Sequence, residues 1–165
     1  MILKFLNKNF YINSLICFLI FGFDRISKNY VIAKTNNFSG QKIFTSKYIN
    51  IDLIWNEGIA FGLLSFNVDK LYNYMSLIIF FVIVIVLIFV IRTKGLDRLF
   101  FIMIFSGGAS NFYDRVVYKA VPDFIDLHYN NFHWFIFNIA DIFITLGVIC
   151  LIFSELIFKN GNKKI

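Results

Sequence analysis

The chain has 165 residues, 59% of them hydrophobic and 20% aromatic, with sixteen Lys and Arg against ten acids and a mean hydropathy of +0.73. So much apolar content excludes an ordinary soluble domain, and one proline with nine glycines excludes a disordered or low-complexity chain. The net charge of +6 does not read as a nucleic-acid footprint, because the basic residues gather at the ends of apolar runs, as membrane topology demands.

The first such run, FYINSLICFLIFGF, follows Lys4 and Lys8 and resembles a secretory signal peptide. It lacks a small-residue cleavage signature and leads directly into Asp24, Arg25 and Lys28, so it predicts an uncleaved first span over about 10–33. Asp24 and Lys28 are four apart on one helix face, either neutralising each other at the interface or bracing a nearby site. Cys17, like Cys150 in the last apolar run, has no His nearby in sequence and reads as a packing residue. No metal-ligand spacing is present, and no metal or cofactor is indicated.

Residues 34–69 are polar enough to lie outside lipid, and within them Ile49, Ile51, Leu53 and Trp55 alternate with Tyr48, Asn50 and Asp52, which predicts a strand. It runs into WNEGIAFG, where Gly58 and Gly62 admit backbone conformations closed to other residues and Asn56 offers donors and an acceptor. The segment is a tight loop with a polar tip, or a loop that holds substrate.

A second span over 71–91 has its only polar members, Tyr72, Asn73, Tyr74 and Ser76, near its start, and extends roughly 32 Å as a helix. Gly95 makes the turn among Arg92, Lys94 and Arg98. The third span, about 97–114, is short and ends in SGGASN; Gly107, Gly108 and Ala109 read as a packing face, since a phosphate loop would want a preceding strand and a following Lys. Beyond it, Asp114 beside Arg115 reads as a local ion pair or helix-end contact, and Asp126 as an exposed loop acid. His128 and His133 read as interfacial residues with no nucleophile spaced around them. Trp134 and Phe135 mark a membrane interface, and a fourth span over about 135–158 carries Asn138 and Asp141 in its first turn, with Glu155 and Lys159 as a surface pair at its far end.

Four spans put both termini on one side of the membrane. Half of the basic residues lie on each side, but those on the terminal side crowd into short tails and one short loop, which places the termini in the cytoplasm and Asp123 and Asp141 outside. An ionisable group at a membrane edge is costly enough to be functional by default, and two carboxylates brought together hold one proton between them, an arrangement that activates water against an amide. Asp123 follows Pro122, whose fixed φ would hold the carboxylate at the mouth of the third and fourth spans; the pair meets only if the loop from Arg115 to His133 folds back onto the fourth helix. A competing reading, a small proton-coupled transporter with a relay of Asp24, Lys28, Asp123 and Asp141, wants charges through the depth of the spans; the second has none and the others carry theirs near one end.

Five motifs, FDRISK, NEGIAFG, GGASNFYDR, VPDFID and FNIAD, in this order among four spans, resemble those of the lipoprotein signal peptidases, the type II signal peptidases of bacteria. The resemblance runs from Asp24 to about Leu146. It implies an all-α membrane protein, one peptidase domain over 1–165 with four transmembrane helices and a small extracytoplasmic β-layer. It implies an aspartic endopeptidase of the cytoplasmic (inner) membrane that cuts a prolipoprotein just before a diacylglyceryl-modified cysteine, with that substrate and membrane lipid as partners. Carried over by motif, the catalytic aspartates fall on Asp123 and Asp141, and residues that hold substrate or shape the site on Asn56, Gly58, Asn111, Arg115 and Asn138, with Asp24 and Lys28 in the first motif. Ser110 stands where the family usually has glycine, which bears on how closely backbone can approach there.

Overall fold

In the computed structural model, which describes residues 8–37, 42–58 and 68–159, the apolar runs are helices and the polar stretches between them build one sheet. The elements run α1 (Lys8–Asn37), β1 (Phe44–Thr45), β2 (Ile49–Asn56), α2 (Val68–Arg92), α3 (Leu96–Tyr118), β3 (Val121–Tyr129), β4 (Phe132–Phe137) and α4 (Ile139–Ser154), closing with a π-helical turn over Glu155–Lys159. Gly62 and the rest of its loop lie outside the described residues, as does the Lys159 side chain expected to pair with Glu155.

Three helices, α1, α2 and α4, are long and apolar enough to cross a membrane. They turn their large side chains outward: Phe18 is 71% exposed and Ile78 62%, while Asp24, Lys28, Ser106, Ser110, Asp114 and Asn138 are buried. This inversion suits lipid as the surrounding solvent, where apolar surface is at no disadvantage and polar groups must find partners inside. The chain is a membrane protein. The third predicted span, 97–114, falls within α3, whose SGGASN segment, Asp114 and Arg115 make it less apolar than the others.

α3 lies between its neighbours. A Cβ on Gly107 would stand 2.5 Å from the Ala140 carbonyl oxygen of α4, one on Gly147 of α4 would stand 2.8 Å from the Phe100 carbonyl oxygen of α3, and Gly108 faces Ile83 of α2. The predicted packing face is therefore present, and glycine is what lets the α3 and α4 backbones touch.

The sheet is antiparallel in the order β1-β2-β3-β4, joined to the end of the bundle where α3 finishes and α4 starts. The predicted strand is β2, and its one buried position is polar: Asn50 is buried while Ile49 and Trp55 are exposed. The cause is its neighbour, since Asn50 lies opposite Asp126 and donates to it. The stretch from Arg115 to His133 is not a loop. α3 continues to Tyr118, and a hairpin with a two-residue turn at Asn130 and Asn131 carries β3 into β4; Asn130 has a φ of 52°. The expected fourth span is correspondingly shorter at its start, because residues 135–137 belong to β4.

Candidate active site

A polar seam between α1 and α3 supports the site from below. Lys28 is fully buried, and its ammonium meets three acceptors: Asn111 Oδ1 at 2.7 Å, Asp114 Oδ2 at 2.7 Å and Asp24 Oδ2 at 2.8 Å. An ammonium has three donors, so this geometry saturates it. Arg25 donates to both Asp114 oxygens and, at 3.1 Å, to Asp24 Oδ2. Two anions and two cations thus enter the interior together, which avoids the several kcal/mol per ion that an unpaired buried charge costs. Asp24 Oδ1 accepts from the Ala140 backbone N–H at 2.8 Å, tying the seam to the start of α4.

The local ion pair with Arg115 or helix-end contact that the sequence suggested for Asp114 is replaced by pairing with Arg25 and Lys28. Successive helical residues point about 100° apart. Asp114 shares the buried α3 face of Ser106 and Ser110, while Arg115 turns to Gly58. Ser110 and Arg25 join the seam as well, the serine hydroxyl donating to Asp24 Oδ2 at 2.6 Å and accepting from Arg25 Nε at 3.1 Å. Arg25, Ser110 and Asp114 were not singled out for the site, although Ser106, Ser110 and Asp114 recur every four residues on α3, the signal of one polar helical face.

Above the seam sit the two carboxylates. Asn138 caps α4: its Oδ1 accepts from the Asp141 backbone N–H at 3.1 Å, and Asp141 Oδ2 accepts in return from the Asn138 N–H at 3.1 Å. This reciprocal capping box fixes the Asp141 side chain at the helix mouth. The remaining Asn138 donor, Nδ2, reaches Asp123 Oδ1 on β3 at 2.6 Å, so one fully buried residue donates to both carboxylates, to Asp123 from its side chain and to Asp141 from its backbone N–H. Asp123 Oδ2 accepts from Asn56 Nδ2 at 2.8 Å, and Asp141 Oδ1 from Asn111 Nδ2 at 2.8 Å, which returns the network to Lys28. Burial pushes the Asp123 carboxyl up to about 6; the Asn56 and Asn138 donors work against that rise, and the Asp141 charge adds to it.

Two openings flank the pair. One, of about 370 Å³, is lined by Trp55, Asn56, Glu57, Gly58 and Asp123. The other, of about 510 Å³, is apolar and runs along Phe135, Phe137, Ile142 and Leu146 with Asp141 at its edge. Gly58 has a φ of 74° and packs on Arg115, so close that a Cβ there would stand 2.8 Å from Nη1. That nitrogen is buried and has no hydrogen-bond partner among the described residues. All nine residues singled out thus fall in one region, Asp24, Lys28, Asn56, Asn111, Asp123, Asn138 and Asp141 in one bonded network and Gly58 with Arg115 at its rim. Asp126 does not match its reading as an exposed loop acid: it is buried on β3 and bonded to Asn50 and His133. Strand alternation puts it on the face opposite Asp123.

The family described as "Signal peptidase (SPase) II" matches residues 16–157. The chain is similar to the lipoprotein signal peptidase of Pelagibacter ubique (strain HTCC1062), at 46% identity over 153 residues, covering 93% of this chain and 92% of that one. It is also similar to the lipoprotein signal peptidase of Anaplasma phagocytophilum (strain HZ), at 37% identity over 147 residues, covering 88% and 92%. A solved bacterial membrane enzyme superposes with a TM-score of 0.73 at 31% identity, covering 92% of this chain and 91% of that one.

Proposed function

The chain belongs to the signal peptidase II family, and on that premise we propose that it is an aspartic endopeptidase with Asp123 and Asp141 as its catalytic pair. Its substrate is a prolipoprotein, cut on the N-terminal side of a diacylglyceryl-modified cysteine. The observation that carries the reading is Asn138, whose side-chain amide donates to the Asp123 carboxylate and whose backbone N–H donates to the Asp141 carboxylate, so that one residue holds both carboxyl groups, Asp123 in one opening and Asp141 beside the apolar groove.

In this mechanism Asp123 carries the shared proton and Asp141 takes a proton from water. The water oxygen adds to the scissile carbonyl carbon while Asp123 donates to the carbonyl oxygen. Collapse of the tetrahedral intermediate breaks the C–N bond, with the proton held by Asp141 passing to the leaving amine and the hydroxyl proton returning to Asp123. Asn56, Asn111 and Asn138 keep the carboxyl groups oriented, and Lys28 with Asp24 holds Asn111 in turn. Gly58 and Arg115 line the path of the substrate backbone.

Four spans, α1 to α4, form one domain over 1–165 with the termini in the cytoplasm and the site at the outer face of the cytoplasmic (inner) membrane. The density of Lys and Arg in the terminal tails and the α2–α3 turn supports this orientation. The buried charges of the described helices α1 and α3 gather near the sheet rather than through the depth of the bundle, which favours a peptidase over a proton relay. The lipid on the substrate would lie along the apolar groove, each buried CH₂ contributing about 0.8 kcal/mol and setting the depth of the scissile bond. The test is purified protein with a diacylglyceryl-modified and an unmodified prolipoprotein. Cleavage nearly confined to the modified form is expected; equal rates on both would overturn the assignment of lipid-set depth.

A further inference from the structure

Asp126, His128 and His133 form a separate cluster on the sheet face away from Asp123. His133 Nδ1 lies 2.8 and 2.9 Å from the two Asp126 oxygens, and His128 faces His133 across the hairpin with ring centroids 5.3 Å apart. One donor atom from each residue can be chosen so that all three lie within 4.8 Å of one another. Two side chains around the cluster carry buried atoms with no hydrogen-bond partner among the described residues, His128 Nδ1 and Asn50 Oδ1. Asn50 is itself only 3% exposed, and its amide donates to Asp126 Oδ2 at 3.0 Å.

We propose that Asp126, His128 and His133 bind a divalent transition-metal cation of the zinc class. Two imidazoles and one carboxylate are a donor set that suits such ions and not Mg²⁺ or Ca²⁺, which take oxygen ligands. Tetrahedral coordination at about 2.0–2.1 Å would set the donor atoms roughly 3.3 Å apart. The Asp126–His133 edge is already shorter than that and the others lie within 4.8 Å, so closure asks for side-chain rotation of about an ångström. A cation also accounts for two features that hydrogen bonding leaves open. It gives His128 a partner, and a water bound to it would offer a donor to Asn50 Oδ1. Asn50 meanwhile supplies the outer hydrogen bond that metal-bound carboxylates normally receive. The ion would tie β3 to β4, with Asn50 bringing in β2, and β3 is the strand that carries Asp123. The site therefore has the place of a structural staple behind the candidate active site, and it does not depend on the peptidase reading.

The test uses the full chain in detergent, stripped with a chelator, titrated with Zn²⁺ by calorimetry and with Co²⁺ by visible absorption. One ion per chain is expected, with d–d bands of a low-coordinate Co²⁺ that Zn²⁺ removes. Binding should be lost in the double variant His128→Ala/His133→Ala. The single variant His133→Gln, at a side chain 47% exposed and so tolerant of change, should bind at least about tenfold more weakly. Absence of saturable Zn²⁺ binding, equal binding of Mg²⁺, or Zn²⁺ binding unchanged in His133→Gln would overturn the proposal.

Discussion

Replacing Asn56 with alanine should move the basic limb of the pH profile of kcat/KM to higher pH. Asn56 donates to Asp123 Oδ2 at 2.8 Å, a bond that favours the ionised carboxylate, so its loss lets Asp123 hold its proton longer. A hydrogen bond to a charged group contributes about 1.5–3 kcal/mol, which at 1.36 kcal/mol per pH unit is about one to two units. Asn56 is exposed, so water replaces part of the interaction and a shift of about half a unit to one unit is expected. In the parent enzyme activity should be lost as pH rises through about 6, the value to which burial lifts Asp123; the titration belongs to the pair rather than to one residue. The same shift acts on stability with a definite sign. The folded state keeps a proton that the unfolded state loses above 3.8, so Asp123 costs on the order of 3 kcal/mol, incurred as pH rises from that value to about 6. The assay is kcat/KM against pH with a lipidated substrate, because kcat/KM reports the free enzyme. Asn56 Oδ1 also accepts from the Gly58 N–H, so a loosened loop would raise KM at every pH without moving the limb. A limb that stays in place, or moves to lower pH, would refute the claim that Asn56 tunes the pair.

Lys28→Ala should destabilise the protein by about 3–5 kcal/mol, since it leaves Asp24 and Asp114 buried with Arg25 alone; thermal unfolding in detergent that is nearly unchanged would show that the seam does not depend on the ammonium. Gly107→Ala should cost about 1–3 kcal/mol by forcing α3 from α4, whereas Gly22→Ala, with nothing within 4 Å of its Cβ, should be neutral or stabilising in the same melt. Arg115→Ala should lower kcat/KM while mass spectrometry finds the cleavage position unchanged.

Much of the fold was legible because its signals are local. Long apolar runs with charges at their ends gave α1, α2 and α4, and the alternation before Trp55 gave β2. β3 and β4 were hidden for physical reasons. β3 is buried along most of its length and its first half holds Pro122 and Asp123, residues depleted in strands, so alternation shows only over 125–129, too short a run to mark the whole strand. Proline is tolerated there because pairing with β4 begins only at Ile125, leaving one side of β3 without a ladder at Pro122. The Asn130-Asn131 turn was the available clue. At the site, the motifs single out Asp123, Asp141 and the asparagines, which the structure brings into one network, but the partners of Asp114 and Asp126 were not legible. Each is bonded to elements distant in sequence, Asp114 to α1 and Asp126 to β2 and β4, and no spacing in the chain encodes which helix or strand will stand opposite.

Cleavage of a diacylglyceryl-modified prolipoprotein by Asp123→Asn and Asp141→Asn tests the central claim most directly. Each amide keeps the size of the group it replaces but can no longer share a proton, so both variants should stay folded, with melting within a few degrees of the parent. Turnover should fall at least about 100-fold in each. A folded variant of either position that cleaves at close to the parental rate would contradict the assignment of Asp123 and Asp141 as the catalytic pair.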